Sequence, residues 1–212
     1  YFITLDGFDG DELDASMPGV LHWAPTPAND LFADAEVVAG PSGRRLADST
    51  GALMENGEPD HGTQPNAASV WYRWTTPAAG RFTFNASGSP AGIPRFVAVY
   101  TGSTLAGLQK VASADSPLGP TAPPRGSVTI DAVSGTEYRI AVAGGLLGTG
   151  GLATIGMGPF ELVWAPVPPN DDFDRAASVA GSVGTASGNN SGASSEQGEP
   201  PDLTILDVTH TV

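Results

Sequence analysis

Part of this chain repeats itself at a fixed displacement of 141 residues. Residues 29–35, NDLFADA, recur at 170–176 as NDDFDRA, and residues 55–59, ENGEP, recur at 196–200 as EQGEP. The register holds without a gap from residue 20 to residue 59, and self-similarity at a fixed period is the signature of a tandem architecture. The sequence therefore predicts one complete unit at 25–165, preceded by the end of another unit and followed by the start of a third.

The predicted boundaries come from the same comparison. Residues 1–24 match the closing strands of the unit, and 166–200 match its opening. Residues 201–212 depart from the pattern, so either this copy is degenerate or a different β module begins near Pro201. The Pro-rich stretches near residues 25 and 166 are typical of semi-rigid spacers between units.

Short apolar and β-branched runs separated by Gly and Pro predict an all-β unit. The predicted strands are 69–75, 81–86, 95–101, 109–113, 127–131, 137–143 and 160–164. In the first of them, Val70, Tyr72 and Trp74 alternate with Trp71 and Arg73, as in a strand with two distinct faces. Seven or more short strands in one unit indicate a β-sandwich of jelly-roll type, here in tandem repeats.

Charge and composition exclude several classes of function. The net charge of -14 argues against nucleic acid as a partner, because the phosphate backbone would repel the chain. No apolar run approaches the roughly 20 residues that a membrane-spanning helix needs, so we expect no membrane insertion. The chain has no cysteine, so core packing or a bound cation must stabilise the fold.

The complete unit resembles the bacterial pre-peptidase C-terminal (PPC-like) domains, which occur in tandem on secreted proteases and surface proteins. The resemblance is carried by the opening at 29–35, GEPDH at 57–61, VWYRWTTPAAG at 70–80, AVYTG at 98–102, GTEYRIAV at 135–142 and FELVW at 160–164. It implies a β-sandwich in an extracellular or cell-surface bacterial setting, with a role in binding, spacing or stabilisation rather than catalysis. Some members bind calcium near the opening of the domain, and some bind collagen or polysaccharide.

Asp30 and Glu58 have counterparts at the 141-residue displacement, so the repeat uses these positions. One interpretation is structural: Asp30 caps a turn or the 32–35 segment, and Glu58 accepts hydrogen bonds from amides of its own loop. The other is a calcium site shared by Asp30, Glu58 and Asp115, since Ca²⁺ collects six or more oxygens from several loops. His61 has the same two interpretations, a hydrogen bond within its loop or a metal ligand.

The densest acidic stretch, residues 6–14, is a second candidate for calcium through Asp9 and Asp11, because oxygen ligands at alternate positions suit that ion. A solvated surface loop is the alternative. The matching loop at 144–158 contains no acid, so the acidity is not a requirement of the fold. No cofactor is required for either interpretation, and calcium is the only one predicted.

Trp71, Tyr72 and Trp74 fall on both faces of one strand. Two of them are predicted to fill the core. For the third, an exposed platform for stacking a sugar is the alternative to a buried position.

The sequence contains no cluster of acid, base and nucleophile that would indicate an enzyme. The sequence favours a non-catalytic repeat that forms a structural stalk or filament, with neighbouring repeats or other copies of the protein as partners. The alternative is an adhesive or substrate-targeting module for polysaccharide or collagen, accessory to a secreted enzyme.

Overall fold

The computed structural model describes residues 25–62, 66–88, 95–115, 125–147 and 154–194. Its strands are β1 (Glu36–Val38), β2 (Gly43–Asp48), β3 (Asn66–Thr75), β4 (Gly80–Gly88), β5 (Arg95–Thr101), β6 (Gln109–Asp115), β7 (Arg125–Ala132), β8 (Glu137–Leu147), β9 (Thr154–Ile155) and β10 (Pro159–Pro166). Within the described ranges the helical elements are three 3-10 turns, η1 (Phe32–Asp34), η2 (Leu105–Gly107) and η3 (Phe173–Arg175). The prediction of an all-β fold is confirmed.

The strands form two sheets that pack face to face as a sandwich. The first sheet has the order β1-β3-β8-β5-β6, with β9 paired to β8, and the second has the order β2-β10-β4-β7. The β1–β3 pair is parallel, and the other pairs are antiparallel. Apolar side chains from both sheets fill the space between them, among them Tyr72, Trp74, Phe84, Val99, Ile140 and Leu162.

The outer face of the first sheet carries a second apolar cluster. Because side chains alternate along a strand, β3 sends Tyr72 and Trp74 between the sheets and Trp71 to the opposite face. There Trp71 packs in what we call the outer cluster, with Phe32, Ala35, Ala98, Tyr100 and Ala141. Two members, Phe32 and Ala35, come from the opening of the unit, which therefore covers this face.

All seven predicted strands are present, and β1, β2 and β9 were not predicted. The three residues of β1 and the two of β9 are too few to show a period. In β2, Arg44, Arg45 and Leu46 are exposed one after another, so the strand lacks the alternation that would have indicated it. Among the described residues, none of the helices has the length and apolar character needed to cross a membrane. Residues 1–24 and 201–212, with their predicted modules, lie outside the described residues.

Candidate functional site

The opening segment, defined here as residues 29–53, starts on the outer face of the first sheet, adds β1 to the edge of that sheet and then joins the second sheet as β2. Asn29 pairs with the β3 backbone. Its side-chain Nδ2 donates to Trp71 O at 3.0 Å, and its backbone carbonyl accepts from Trp71 N at 2.8 Å. The Phe32 ring meets Trp71 edge-on at 5.3 Å, and the Arg139 guanidinium lies 4.6 Å from the Phe32 centroid. These contacts fix both the edge and the face on which the segment lies.

Asp30 holds the two ends of the opening segment together. Its Oδ1 accepts from Leu53 N at 2.7 Å, so it does not cap the 32–35 turn as one interpretation predicted. The amide of Phe32 donates instead to Glu55 Oε2 at 3.0 Å. Burial raises the pKa of Asp30, the Leu53 amide opposes that rise, and the nearby charges of Glu58 and Glu55 add to it.

Glu58 is the centre of a buried polar cluster made of Glu58, His61, Ser69 and Tyr100. Its Oε2 accepts from Glu55 N at 2.8 Å, as predicted for an amide of its own loop. Its Oε1 accepts from Ser69 Oγ and from His61 Nε2, the latter at 2.7 Å. The Glu58 and His61 side chains have no exposed surface.

His61 links this loop to the first sheet. Its Nε2 faces the carboxylate, and its Nδ1 lies 2.8 Å from Tyr100 Oη. In the neutral tautomer protonated on Nε2, the ring donates to Glu58 and accepts from the Tyr100 hydroxyl. Burial raises the pKa of Tyr100, and the charges of Glu58 and Asp60 raise it further, which keeps that hydroxyl a donor. The sequence predicted the bond within the loop but gave no signal for Ser69 or Tyr100.

The alternative that one of Trp71, Tyr72 and Trp74 is an exposed platform is wrong. All three side chains are fully buried. Tyr72 and Trp74 lie between the sheets, and the opening segment covers Trp71 on the other face. Burial raises the pKa of Tyr72 to about 12, as expected for a hydroxyl removed from water.

The candidate calcium ligands are spread along the first sheet. His61 connects Glu58 to Tyr100, near one end of β5. Asp115 is the last residue of β6 and pairs with Phe96, near the other end of β5. Within the described residues, no three His, Asp or Glu side chains cluster as a metal site would require. Asp9 and Asp11 lie outside the described residues. Calcium stays a prediction at both places.

Residues 170–194, which we call the second opening segment, repeat five hydrogen bonds made by the first. Asp171 Oδ1 accepts from Ser194 N at 2.8 Å, the counterpart of the Asp30–Leu53 bond. The bonds from the amides of Asp30, Asp34, Ala35 and Ala52 recur in the amides of Asp171, Arg175, Ala176 and Ala193. The turn η3 stands where η1 stands in the first segment. Sequence and local structure therefore recur together.

The second opening segment is docked on the second sheet through a Pro-rich joint, residues 166–169. Arg81 Nη1 lies 2.8 Å from both carboxylate oxygens of Asp172, and the Arg81 carbonyl accepts from Val167 N at 2.9 Å. Thr83 Oγ1 donates to Gly192 O at 3.0 Å. The bond from Arg81 lowers the pKa of Asp172. Nothing in the sequence indicated this pairing, because Leu31 occupies the Asp172 position in the first segment.

A groove of about 760 Å³ separates the second sheet from the joint. Its walls include Arg44 and Glu161, which pair at 2.9 Å, together with Trp164, Asn170 and Asn189. Such a mixture of polar side chains with an aromatic edge occurs in ligand sites between domains.

No family model matches this chain, and no curated protein matches it. Solved structures with a similar arrangement include the pre-peptidase C-terminal domain of a collagenase from Bacillus anthracis, at 14% identity and a TM-score of 0.38, covering 68% of this chain and 99% of that one. They also include a CBM35 domain from Cellvibrio japonicus, at 12% identity and a TM-score of 0.31, covering 58% and 97%. The K3 cleaved adhesin domain of Lys-gingipain from Porphyromonas gingivalis is similar at 17% identity and a TM-score of 0.30, covering 57% and 72%. Similarities this low assign neither a family nor a function.

Proposed function

We propose that this chain is a non-catalytic, extracellular module of a tandem array, in which sandwiches joined by short Pro-rich linkers act as a spacer or stalk. One observation carries the proposal: the second opening segment resembles the first in sequence at a displacement of 141 residues and repeats five of its local hydrogen bonds. A chain that rebuilds the start of a sandwich directly after closing one is organised as a series.

The docking at the joint supports a stiff array rather than a string of loosely tethered domains. A flexible linker needs no contact with the module before it, yet here Asp172 binds Arg81 and Gly192 accepts from Thr83. These bonds hold the joint and the second opening segment against the sheet that precedes them.

A non-catalytic role is supported by the burial of the polar cluster. Its histidine and carboxylate have no exposed surface, and Ser69 donates to Glu58 rather than to the histidine. A nucleophile and base must reach a substrate, and this cluster is closed to one. Its bonds instead fasten the loop at 55–61 to the first sheet.

Imaging the native full-length protein by electron microscopy tests the proposal. We expect rods of similar globules at a regular spacing, because the array repeats one kind of unit through short Pro-rich joints. A single compact particle would contradict it.

The second candidate function is an adhesive or targeting module, favoured by the groove at the joint. Its charged pair and aromatic edge suit a polysaccharide or a collagen chain. Sedimentation of the 212-residue chain with insoluble glycans and with collagen separates the two candidates. Binding that is weakened by Arg44→Ala, with exposed Arg45→Ala as the matched control, would replace the spacer proposal. No binding is expected if the module is a spacer.

A further inference from the structure

The second opening segment presents to solvent the side chains that the first segment buries. Four apolar residues of the first segment are buried: Phe32, Ala35, Val38 and Ala52. Their counterparts at the 141-residue displacement are Phe173, Ala176, Val179 and Ala193, and all four are exposed. The contrast is large, since Phe32 is 6% exposed and Phe173 is 86%, while Val38 is 5% exposed and Val179 is 82%.

All four counterparts are apolar, although nothing described in this chain buries them. At positions that are exposed in the first segment the residue type changes: exposed Leu31 is replaced by Asp172, which is half-buried against Arg81, and exposed Ser42 is replaced by Val183. Exposed apolar side chains grouped on one segment mark an interaction surface. The apolar positions of the second segment therefore match the positions that are buried in the first segment, although they are exposed in the second.

The first segment shows what such a surface packs against. Phe32 lies on Trp71 and under the Arg139 guanidinium, and Val38 belongs to the core between the sheets. In addition β1 pairs in parallel with β3, from Glu36 against Tyr72 to Val38 against Trp74. The partner in that case is a sheet with an open strand edge, an aromatic ring and a guanidinium on its outer face.

We infer that the second opening segment is the covering layer of a following sandwich of the same kind. Residues 177–179 add a parallel strand to the edge of its first sheet, Asn170 bonds that edge as Asn29 does, and Phe173 packs on an aromatic residue at the position of Trp71. The inference rests on the proposed tandem array and adds to it the contact surface and the chemistry of the partner. Each joint then links two sandwiches through a segment that is docked on one and inserted into the other.

A chimera tests this. Residues 54–165 are fused after residue 194 of the chain, so that the second opening segment is followed by the rest of a sandwich. A control fusion carries residues 29–165 after residue 169, which repeats the first unit unchanged. We expect both to show a second cooperative unfolding transition, counted by its added unfolding enthalpy because identical units unfold at the same temperature. Carbene labelling of Phe173 and Val179 should be much weaker in the chimera than in the 212-residue chain, and close to the labelling of their buried counterparts Phe32 and Val38.

Substitutions in the chimera separate specific burial from general folding. Val179→Asp should abolish the second transition, because its counterpart Val38 is in the core. Val183→Asp should leave that transition in place, because its counterpart Ser42 is exposed. In the 212-residue chain neither substitution should alter the first transition.

The outcomes distinguish this inference from the proposed function. If the control forms a second sandwich and the chimera does not, or if Phe173 and Val179 remain fully labelled in a folded chimera, the inference is overturned and the array stands. If the control also fails to form a second sandwich, the 141-residue repeat is not a folding unit, and the array and the inference fall together.

Discussion

At the scale of single residues, Glu58 organises the loop that closes the unit on its first sheet. Its two carboxylate oxygens accept three hydrogen bonds, from His61, Ser69 and the Glu55 amide. Because no water reaches this carboxylate, a partner lost from the cluster is not replaced by solvent.

Replacing Glu58 by Gln should lower the free energy of unfolding by about 3 kcal/mol. The substitution replaces one accepting oxygen with an NH₂ group, which then faces a group that also donates. Urea denaturation of the wild type and of Glu58→Gln measures the change. Asp60→Asn is the matched control, since Asp60 is exposed two residues away, and it should change stability little. Equal stability of the two variants would contradict the role assigned to Glu58.

Asp30 should make the stability of the unit fall as pH rises above the ordinary Asp pKa of 3.8. Burial raises its pKa in the folded state, so the folded chain holds this proton more tightly than the unfolded chain does. The stability linked to that proton is present below the ordinary pKa and is lost as pH rises through the raised one.

Asp30→Asn removes this titration while keeping an oxygen for the Leu53 amide. The difference in unfolding free energy, wild type minus variant, should decrease between about pH 3 and pH 7, following the linkage relation. Urea denaturation across this range measures it, with exposed Asp34→Asn as the control. A difference that stays constant with pH would refute the assignment.

At the scale of elements, the ion pair between Arg81 and Asp172 holds the second opening segment against the second sheet. Arg81 belongs to β4, and both its side chain and its carbonyl bind residues beyond β10. The pair is partly exposed, so salt should weaken it.

Asp172→Asn should loosen the joint without unfolding the sandwich. We expect the Val167 amide, which donates to the Arg81 carbonyl, to exchange its hydrogen roughly twofold to fivefold faster, as for loss of an exposed pair. Asp174→Asn in the same turn should have no such effect. Because Arg81 lowers the Asp172 pKa, the pair persists above the ordinary Asp pKa and is lost as pH falls through the lowered one. Unchanged exchange in Asp172→Asn would show that the backbone bonds alone hold the joint.

At the scale of the whole molecule, the strands were predictable and the covering of their outer face was not. Alternation in β3 correctly separated Trp71 from Tyr72 and Trp74, because a strand sends successive side chains to opposite faces. It could not tell what covers each face, so an exposed aromatic residue stayed open as an alternative where the opening segment in fact buries Trp71. That covering segment lies 39 residues earlier, from Phe32 to Trp71, and no local pattern connects the two.

The repeat identified important positions but not their partners. It singled out Asp30 and Glu58, yet the atoms that bind them, in Leu53, His61 and Ser69, are brought together only by the fold. The Arg81–Asp172 pair escaped entirely, since a residue that differs between units gives no signal in a comparison of units.

At the same scale, the acidity of the whole chain bears on whether it binds calcium. With 23 acidic and 9 basic residues, the chain attracts cations, but attraction alone does not build a site. Three donors occupy the oxygens of Glu58, and Leu53 binds Asp30. Asp115 pairs with Phe96, four residues along β5 from Tyr100, which is about 13 Å away at the rise of a strand.

A ligand that binds only the folded state must raise the melting temperature, so the 212-residue chain is compared in chelator and in millimolar Ca²⁺. We expect no rise that depends on Asp30, Glu58 or Asp115, and a rise that depends on Glu58 would contradict this. Two variants would then locate the ion. If Glu58→Gln removes the rise, Ca²⁺ displaces hydrogen bonds of the polar cluster; if Asp9→Asn with Asp11→Asn removes it, Ca²⁺ binds the acidic stretch at 6–14. Mg²⁺ is the control, because its smaller octahedral shell does not fit a loop built for Ca²⁺, and an equal rise with Mg²⁺ would indicate screening of the net charge rather than a site.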